Sequence, residues 1–284
     1  MGKKGFIAKP YSDIFVALSL ARLGDNKMNS LDLKSGFVAV TEHGALLEVT
    51  LDRPDKLNAL STEMYLDLGR AVDHFRARDD LHALLIDANG RAFTAGNDIG
   101  DFLNADPEAR RNGELSAAMQ LVHRLLELDK PVLAAVHGNA TGIGTTLLLH
   151  CDLVIAADSA RFYTAFINLG LVPEAGSSLI LPGLVGRQNA NRLLLAGDSL
   201  SADEALRMGL VAYRCGDDEL REKALELGGK LAAKPPQAMR YTKQLTRHGA
   251  DAIREQIKKE SVLFGERMFS DETRAIFDKF LNKR

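Results

Sequence analysis

The sequence predicts an α/β fold, and two observations carry the prediction. Between Gly36 and Ala156, short runs rich in Val, Leu and Ile alternate with amphipathic stretches at helical spacing. That is the pattern of β–α–β crossovers and a largely parallel sheet. Past Asn189 the strand-like runs stop and the chain reads almost wholly helical. With 284 residues there is enough chain for a sizeable core.

In order, Phe37–Thr41 and Ala45–Leu51 read as strands joined by a hairpin at His43-Gly44. Ser61 is expected to N-cap a helix whose buried face carries Met64, Leu68, Ala71, Val72 and Phe75. Ala83–Ile86 is a buried-strand run, stopped by the turn signal Asn89-Gly90. Leu115–Leu128 predicts a second amphipathic helix, closed by Lys130-Pro131. Val132–Val136 is a strand, followed by Gly138, Gly142 and Gly144; Thr145–His150 reads as helix and Leu153–Ala156 as strand. Later helices are expected at Ala202–Met208, Asp218–Ala233, Gln237–Arg247 and Asp251–Phe269, with Lys234-Pro235-Pro236 dividing two of them. The expected organisation is a flexible extension over residues 1–35, an α/β core over 36–200 and a helical region over 201–284. Met28 offers an alternative start within the extension.

Charge narrows the function classes. Lys and Arg total 36 against 38 Asp and Glu, so neither nucleic acid nor a membrane surface is an expected partner. No apolar run approaches the ~20 residues that span a bilayer. Lys3 and Lys4 precede the apolar Ile14–Ala21, but that run is short and no small-residue cleavage pattern follows. Cys151 and Cys215 lack metal-ligand spacing and form no secreted disulfide framework, so a cytoplasmic location is expected. Cys151 sits in the apolar run Leu147–Ile155 and reads as a small core residue. His74, His82, His123 and His248 are isolated on amphipathic segments, and His137 reads as a packing or hydrogen-bonding residue. No cluster has metal spacing, so no metal is expected.

Three segments carry chemistry. Phe93-Thr94-Ala95-Gly96-Asn97-Asp98-Ile99 follows a strand and a turn. Gly96 lets backbone come close to a ligand, and peptide N–H groups there can point at an anion. Equally, Asn97 and Asp98 are residues that form an Asx turn on their own backbone. His137-Gly138-Asn139-Ala140-Thr141-Gly142-Ile143-Gly144 joins a strand to a helix. It fails the dinucleotide pattern, because Gly142-Ile143-Gly144 continues Thr145-Thr146-Leu147, and no Gly-Lys-Ser/Thr marks a Walker loop. What remains is a helix N-terminus whose N–H groups and positive dipole end can receive an oxyanion. In the third segment, Gly170–Ser178, Glu174 is the only charged residue between Tyr163 and Pro182. Apolar surroundings disfavour a charged carboxylate and suit it to general-base work. An acid opening the next helix beside Pro173 is the alternative.

Taken together these segments resemble the enoyl-CoA hydratase/isomerase (crotonase) superfamily over roughly residues 36–284, several motifs standing in the family's order. Leu51-Asp52-Arg53-Pro54 with Lys56-Leu57-Asn58-Ala59-Leu60 is similar to its early CoA-binding stretch. Phe93–Ile99 resembles its first oxyanion loop and Gly138–Thr146 its second, with Leu153–Phe162 and Gly170–Ser178 completing the pattern. The resemblance implies a crotonase-type fold, a ββα spiral core with a helical C-terminal trimerisation region, and a homotrimer or hexamer. It implies an acyl-CoA substrate from fatty acid metabolism and no separate cofactor, coenzyme A being part of the substrate. It assigns thioester-binding N–H groups to Asn97 and Ile143, and the CoA contacts to Lys56, Leu57, Ala59, Ala95, Gly96, Asp98 and Ile99. Lys279 matches a basic residue that reaches CoA from a neighbouring subunit.

The departures sharpen the expectation. The two glutamates with which the family's hydratases add water are matched here by Thr146 and Phe166, neither of which serves as a general base. Glu174 stands where hydratases usually carry glycine. With Ala95-Gly96-Asn97-Asp98 and Ser177-Ser178 it resembles the Δ3,Δ2-enoyl-CoA isomerases, in which one glutamate moves the proton. Phe102, Phe166 and Leu169 are the expected apolar lining. Two other readings stay open: a different reaction of the superfamily (hydratase, hydrolase or lyase) using Glu174 or Asp98 differently, and a CoA-thioester-binding protein with little activity.

Overall fold

Why Leu46–Leu51, Ala83–Ala88 and Val132–Val136 read as near-continuous apolar runs is plain in the computed structural model: each is covered on both faces. Residues 31–103 and 115–281 are described. The elements are β1 (Val38–His43), β2 (Leu46–Leu51), α1 (Thr62–Ala77), β3 (Ala83–Ala88), α2 (Ile99–Leu103), α3 (Ala117–Glu127), β4 (Val132–Val136), β5 (Asn139–Thr141), α4 (Ile143–Thr146), β6 (Leu153–Ala157) and β7 (Arg161–Tyr163). They continue with α5 (Ser177–Val185), α6 (Arg187–Leu194), β8 (Ser199–Ser201), α7 (Ala202–Met208), β9 (Tyr213–Cys215), α8 (Leu220–Ala232), α9 (Pro236–Thr246), α10 (Ala250–Met268) and α11 (Asp271–Leu281).

The main sheet has the order β1-β2-β3-β4-β6-β9, and β5-β7-β8 form a second, smaller sheet. Among the described residues, only the β1–β2 hairpin is antiparallel in the main sheet. β4 runs on into β5 and β6 into β7, so successive turns of chain give a strand to each sheet. One face of the main sheet packs against α1 and α3 through Leu68, Val72, Phe75, Leu121 and Leu125. The other packs Leu46, Leu85, Leu133 and Ile155 against α8 at Leu220 and Ala224.

The predicted strands and the helices at Ser61 and Leu115–Leu128 are all present, Ser61 and Ser116 each capping through a side-chain oxygen. Thr145–His150 is corrected: the α-helix starts earlier, at Ile143, and tightens to a 3-10 turn over Leu147–His150. The almost wholly helical reading beyond Asn189 holds for the four expected helices, but β8 and β9, which the sequence did not announce, interrupt it and β9 forms an edge of the main sheet. Three-residue strands are too short to show an alternating signal. Most of the expected extension, residues 1–30 with Met28 and Ile14–Ala21, lies outside the described residues. From Leu31 the chain is docked: Leu31 and Leu33 pack on the core, and Asp67 accepts the Lys34 and Ser35 N–H groups at 2.9 and 2.7 Å.

Two lysines with buried side chains fasten the layers. Lys130 is 2% exposed and donates to the Phe75 and Arg78 carbonyls at 2.8 and 2.6 Å, closing the C-terminal end of α1, while lying 4.9 Å over the Phe75 ring. Lys243 of α9 donates to the Lys130 carbonyl and to Asp152, both at 2.6 Å; burial brings its pKa down to about 8. We expect Lys130→Met, which keeps the apolar stem and leaves those carbonyls without their donor, to destabilise the protein by about 1–3 kcal/mol. A lower urea midpoint at unchanged slope is the measurement.

Candidate active site

The loops after β3 and β4 meet at the carboxyl ends of two adjacent parallel strands, where an open α/β sheet leaves a crevice. They are stitched together: Phe93 and Thr94 N–H donate to the His137 and Asn139 carbonyls at 2.9 Å, and Thr141 N–H returns to the Thr94 carbonyl at 3.0 Å. The approach leaves no room for side chains. A Cβ on Gly96 would stand 2.9 Å from the Thr141 carbonyl oxygen, and one on Gly144 would stand 2.3 Å from Thr94 Cγ2. Gly96 also has φ +91°, a backbone region open to glycine.

The stretch Arg53–Leu60 forms the third wall. Asn58, fully buried, accepts the Arg53 N–H at 2.7 Å and donates to the Asn89 and Ala92 carbonyls at 2.8 Å. Leu57 and Asn58 both have positive φ, and these bonds hold them there. The first loop is fixed to this wall by Ala95 N–H to the Leu57 carbonyl, Leu60 N–H to Gly96 and Asp98 N–H to Leu60. Among the described residues, no acceptor takes the N–H of Asn97 or of Ile143. Ile143 starts α4 without a positive φ, so a non-glycine residue carries its N–H there unstrained.

These walls enclose a cavity of about 740 Å³. Lys56, Leu57, Ala59, Ala95, Gly96, Asn97, Asp98, Ile99 and Ile143 all line it, nine residues singled out from the sequence. Phe166 and Leu169 line it as expected; the side chain of Phe102 lies outside the described residues. A family model described as enoyl-CoA hydratase/isomerase matches residues 41–284. The chain belongs to the enoyl-CoA hydratase/isomerase family. It is 38% identical to the 1,2-epoxyphenylacetyl-CoA isomerase of Escherichia coli over 70% of this chain and 77% of that one. It is 32% identical to the 2,3-dehydroadipyl-CoA hydratase of Escherichia coli over 86% and 95%. A crystal structure of an enoyl-CoA hydratase/isomerase from Pseudoalteromonas atlantica superposes with a TM-score of 0.82 at 38% identity, covering 87% of this chain and 98% of that one. The fold is accordingly the crotonase fold, and the protein is an acyl-CoA enzyme of this family.

In this enoyl-CoA hydratase/isomerase chain Thr146 is fully buried, and Phe166 packs edge-on against Phe264 with ring centroids 6.4 Å apart. Glu174 is 7% exposed and is not among the cavity-lining residues. It does not open a helix: α5 begins at Ser177 with Gly176 as its cap, so the helix-start reading fails. Lys279 is exposed on α11 and does not line the cavity of its own chain. The Asp98 carboxylate accepts from Arg53 at 2.7 Å and from Gly100 N–H at 2.9 Å; burial pushes its pKa up, but these donors outweigh it and hold it below the usual range.

Three contributors escaped the sequence reading. Tyr65 of α1 is buried, donates to Asn97 Oδ1 at 2.5 Å, and has its pKa raised by burial and then by the Glu174 charge. From the sequence Tyr65 looks like one more apolar-face residue of α1. Phe264 and Phe277, on α10 and α11, close the apolar end of the cavity; no local signal separates them from core aromatics.

His150, 2% exposed, donates Nε2–H to the Ala175 carbonyl at 2.8 Å, and burial lowers its pKa from 6.5 to about 4. The unfolded chain therefore binds this proton between about pH 6.5 and pH 4 while the folded chain does not. Its contribution is present above 6.5 and lost as the pH falls through 4, amounting to about 3 kcal/mol. His150→Gln should flatten this part of the acid stability profile, as read from thermal midpoints between pH 7 and 4.

Proposed function

We propose that the protein is a Δ3,Δ2-enoyl-CoA isomerase, moving a double bond by way of a dienolate. The observation that carries this is that the two hydratase positions hold the non-titrating Thr146 and Phe166, while Glu174 supplies a buried carboxylate in the loop before α5. One carboxylate is enough for a shift that activates no water. Glu174 removes a proton from C2, next to the thioester carbonyl, and the C2–H electron pair moves toward that carbonyl. The developing oxyanion is held by the Asn97 and Ile143 N–H groups, which have no described acceptor of their own. Glu174 then returns its proton at C4 and the conjugated 2-enoyl-CoA forms. Each preorganised donor contributes roughly 2.7–4 kcal/mol at such a transition state. Phe166, Leu169 and Leu171 make that end of the cavity apolar, which strengthens these interactions by excluding water.

The proposal places the CoA moiety along Lys56–Ala59 and Ala95–Ile99, with no further cofactor or metal. It includes a homotrimer or hexamer, supported by exposed apolar residues Leu195, Leu245 and Val262, in which Lys279 serves a neighbouring subunit's site. It includes a cytoplasmic location, supported by two free cysteines; no described helix is long and apolar enough to cross a membrane. The relatives' names divide between isomerisation and hydration and do not choose between them.

Glu174→Gln should lower kcat for conversion of a 3-enoyl-CoA to the 2-enoyl-CoA by about 10²–10⁴-fold. The parental rate in that variant would overturn the mechanism. Rapid water addition to a 2-enoyl-CoA by the parent protein would replace the isomerase with a hydratase.

A further inference from the structure

Glu174 stands on a strap, Gly170–Ser178, whose backbone is held in a conformation it would not adopt alone. Ala175 has φ +61° and is fully buried, and Gly176 follows at φ +73°. A left-handed non-glycine residue is costly and persists only where its surroundings fix it. Here the fixing groups come from far along the chain. Glu260 of α10, itself 4% exposed, accepts from Gly176 N–H at 2.6 Å, Ser178 N–H at 3.0 Å and Ser178 Oγ at 2.5 Å. Gln256 donates to Ser178 Oγ at 2.9 Å. At the other end of the strap, Arg267 and Thr273 donate to the Gly170 carbonyl at 2.9 and 3.0 Å. Ser177 Oγ donates to the Glu174 carbonyl at 2.6 Å.

Burying a carboxylate is unfavourable, and a serine or aspartate at the cap position would satisfy a helix N-terminus locally. A glutamate brought from 84 residues away does something a local cap does not: it fixes the strap to a different helix. Its two oxygens divide between Gly176 and Ser178, which sets the direction in which the chain leaves Glu174. We infer that Glu260 is a positioning residue that acts through Glu174, tying the strap to α10 so that the Glu174 carboxylate keeps its place. This rests on the reading of Glu174 as the proton carrier. Glu260 touches neither the cavity nor, on this reading, the substrate.

The test is a cycle of Glu260→Gln, Glu174→Gln and the double variant, assayed as the full-length protein with a 3-enoyl-CoA. Glutamine keeps the shape but replaces one accepting oxygen with a donor facing an N–H. Glu260→Gln should lower kcat by about 10–100-fold, as small misplacements of a reacting group do, with KM nearly unchanged. In the Glu174→Gln background the same change should cost no further rate, because a residue that acts only through Glu174 has nothing left to position. An unchanged kcat in Glu260→Gln, or an equal loss in both backgrounds, overturns the inference. A slowed Glu174→Gln with an unslowed Glu260→Gln overturns the positioning role alone; an unslowed Glu174→Gln overturns both readings. Should Glu260→Gln fail to fold, Ser178→Ala removes one donor from the same clamp and leaves the charge. It should show a smaller kcat loss that likewise vanishes in the Glu174→Gln background, and persistence of the loss there overturns the inference.

Discussion

The structure depends on two loops crossing where neither Gly96 nor Gly144 has a side chain to keep them apart. Gly96 and Gly144 admit the loops after β3 and β4 to one another, and the bonds from Phe93, Thr94 and Thr141 hold them there. Everything else serves that crossing. The doubly covered sheet sets the spacing of β3 and β4, Asn58 stiffens the third wall, and α1 brings Tyr65 to Asn97. A methyl group at Gly96 would meet the Thr141 carbonyl and one at Gly144 the Thr94 side chain, so either would overpack the crossing.

The protein uses charge in two opposite ways. In the working loop Asp98 is neutralised by Arg53 and its own turn, so it braces the loop from the cavity wall. Glu174 is buried in a stretch without another charged residue, and its charge, after burial, raises the pKa of Tyr65. Two carboxylates, one an aspartate and one a glutamate, thus differ in chemistry chiefly because of their neighbours.

How much of this was legible follows from how local each signal is. The main strands and early helices declare themselves by period and capping within a dozen residues, as Ser61 and Val132–Val136 do. Nine of the cavity-lining residues named in advance lie in three short segments with glycine, asparagine and aspartate, whose resemblance to a family ties them together. Tyr65, Phe264, Phe277 and Glu260 gave no such sign, because each works through a partner far away in sequence: 32 residues for Tyr65 and 84 for Glu260. The C-terminal helices, which the family resemblance marks as a trimerisation region, also contribute to the cavity wall and to the strap behind it.

The clamp on the strap from α10 has a consequence for biogenesis. Its donors leave the ribosome long before its acceptor, since Gly176 precedes Glu260 by most of the C-terminal third. A nascent chain can complete the crossing of the two loops while the strap is still unanchored. The strap is therefore anchored by a segment synthesised 84 residues after it, so its final geometry waits on α10.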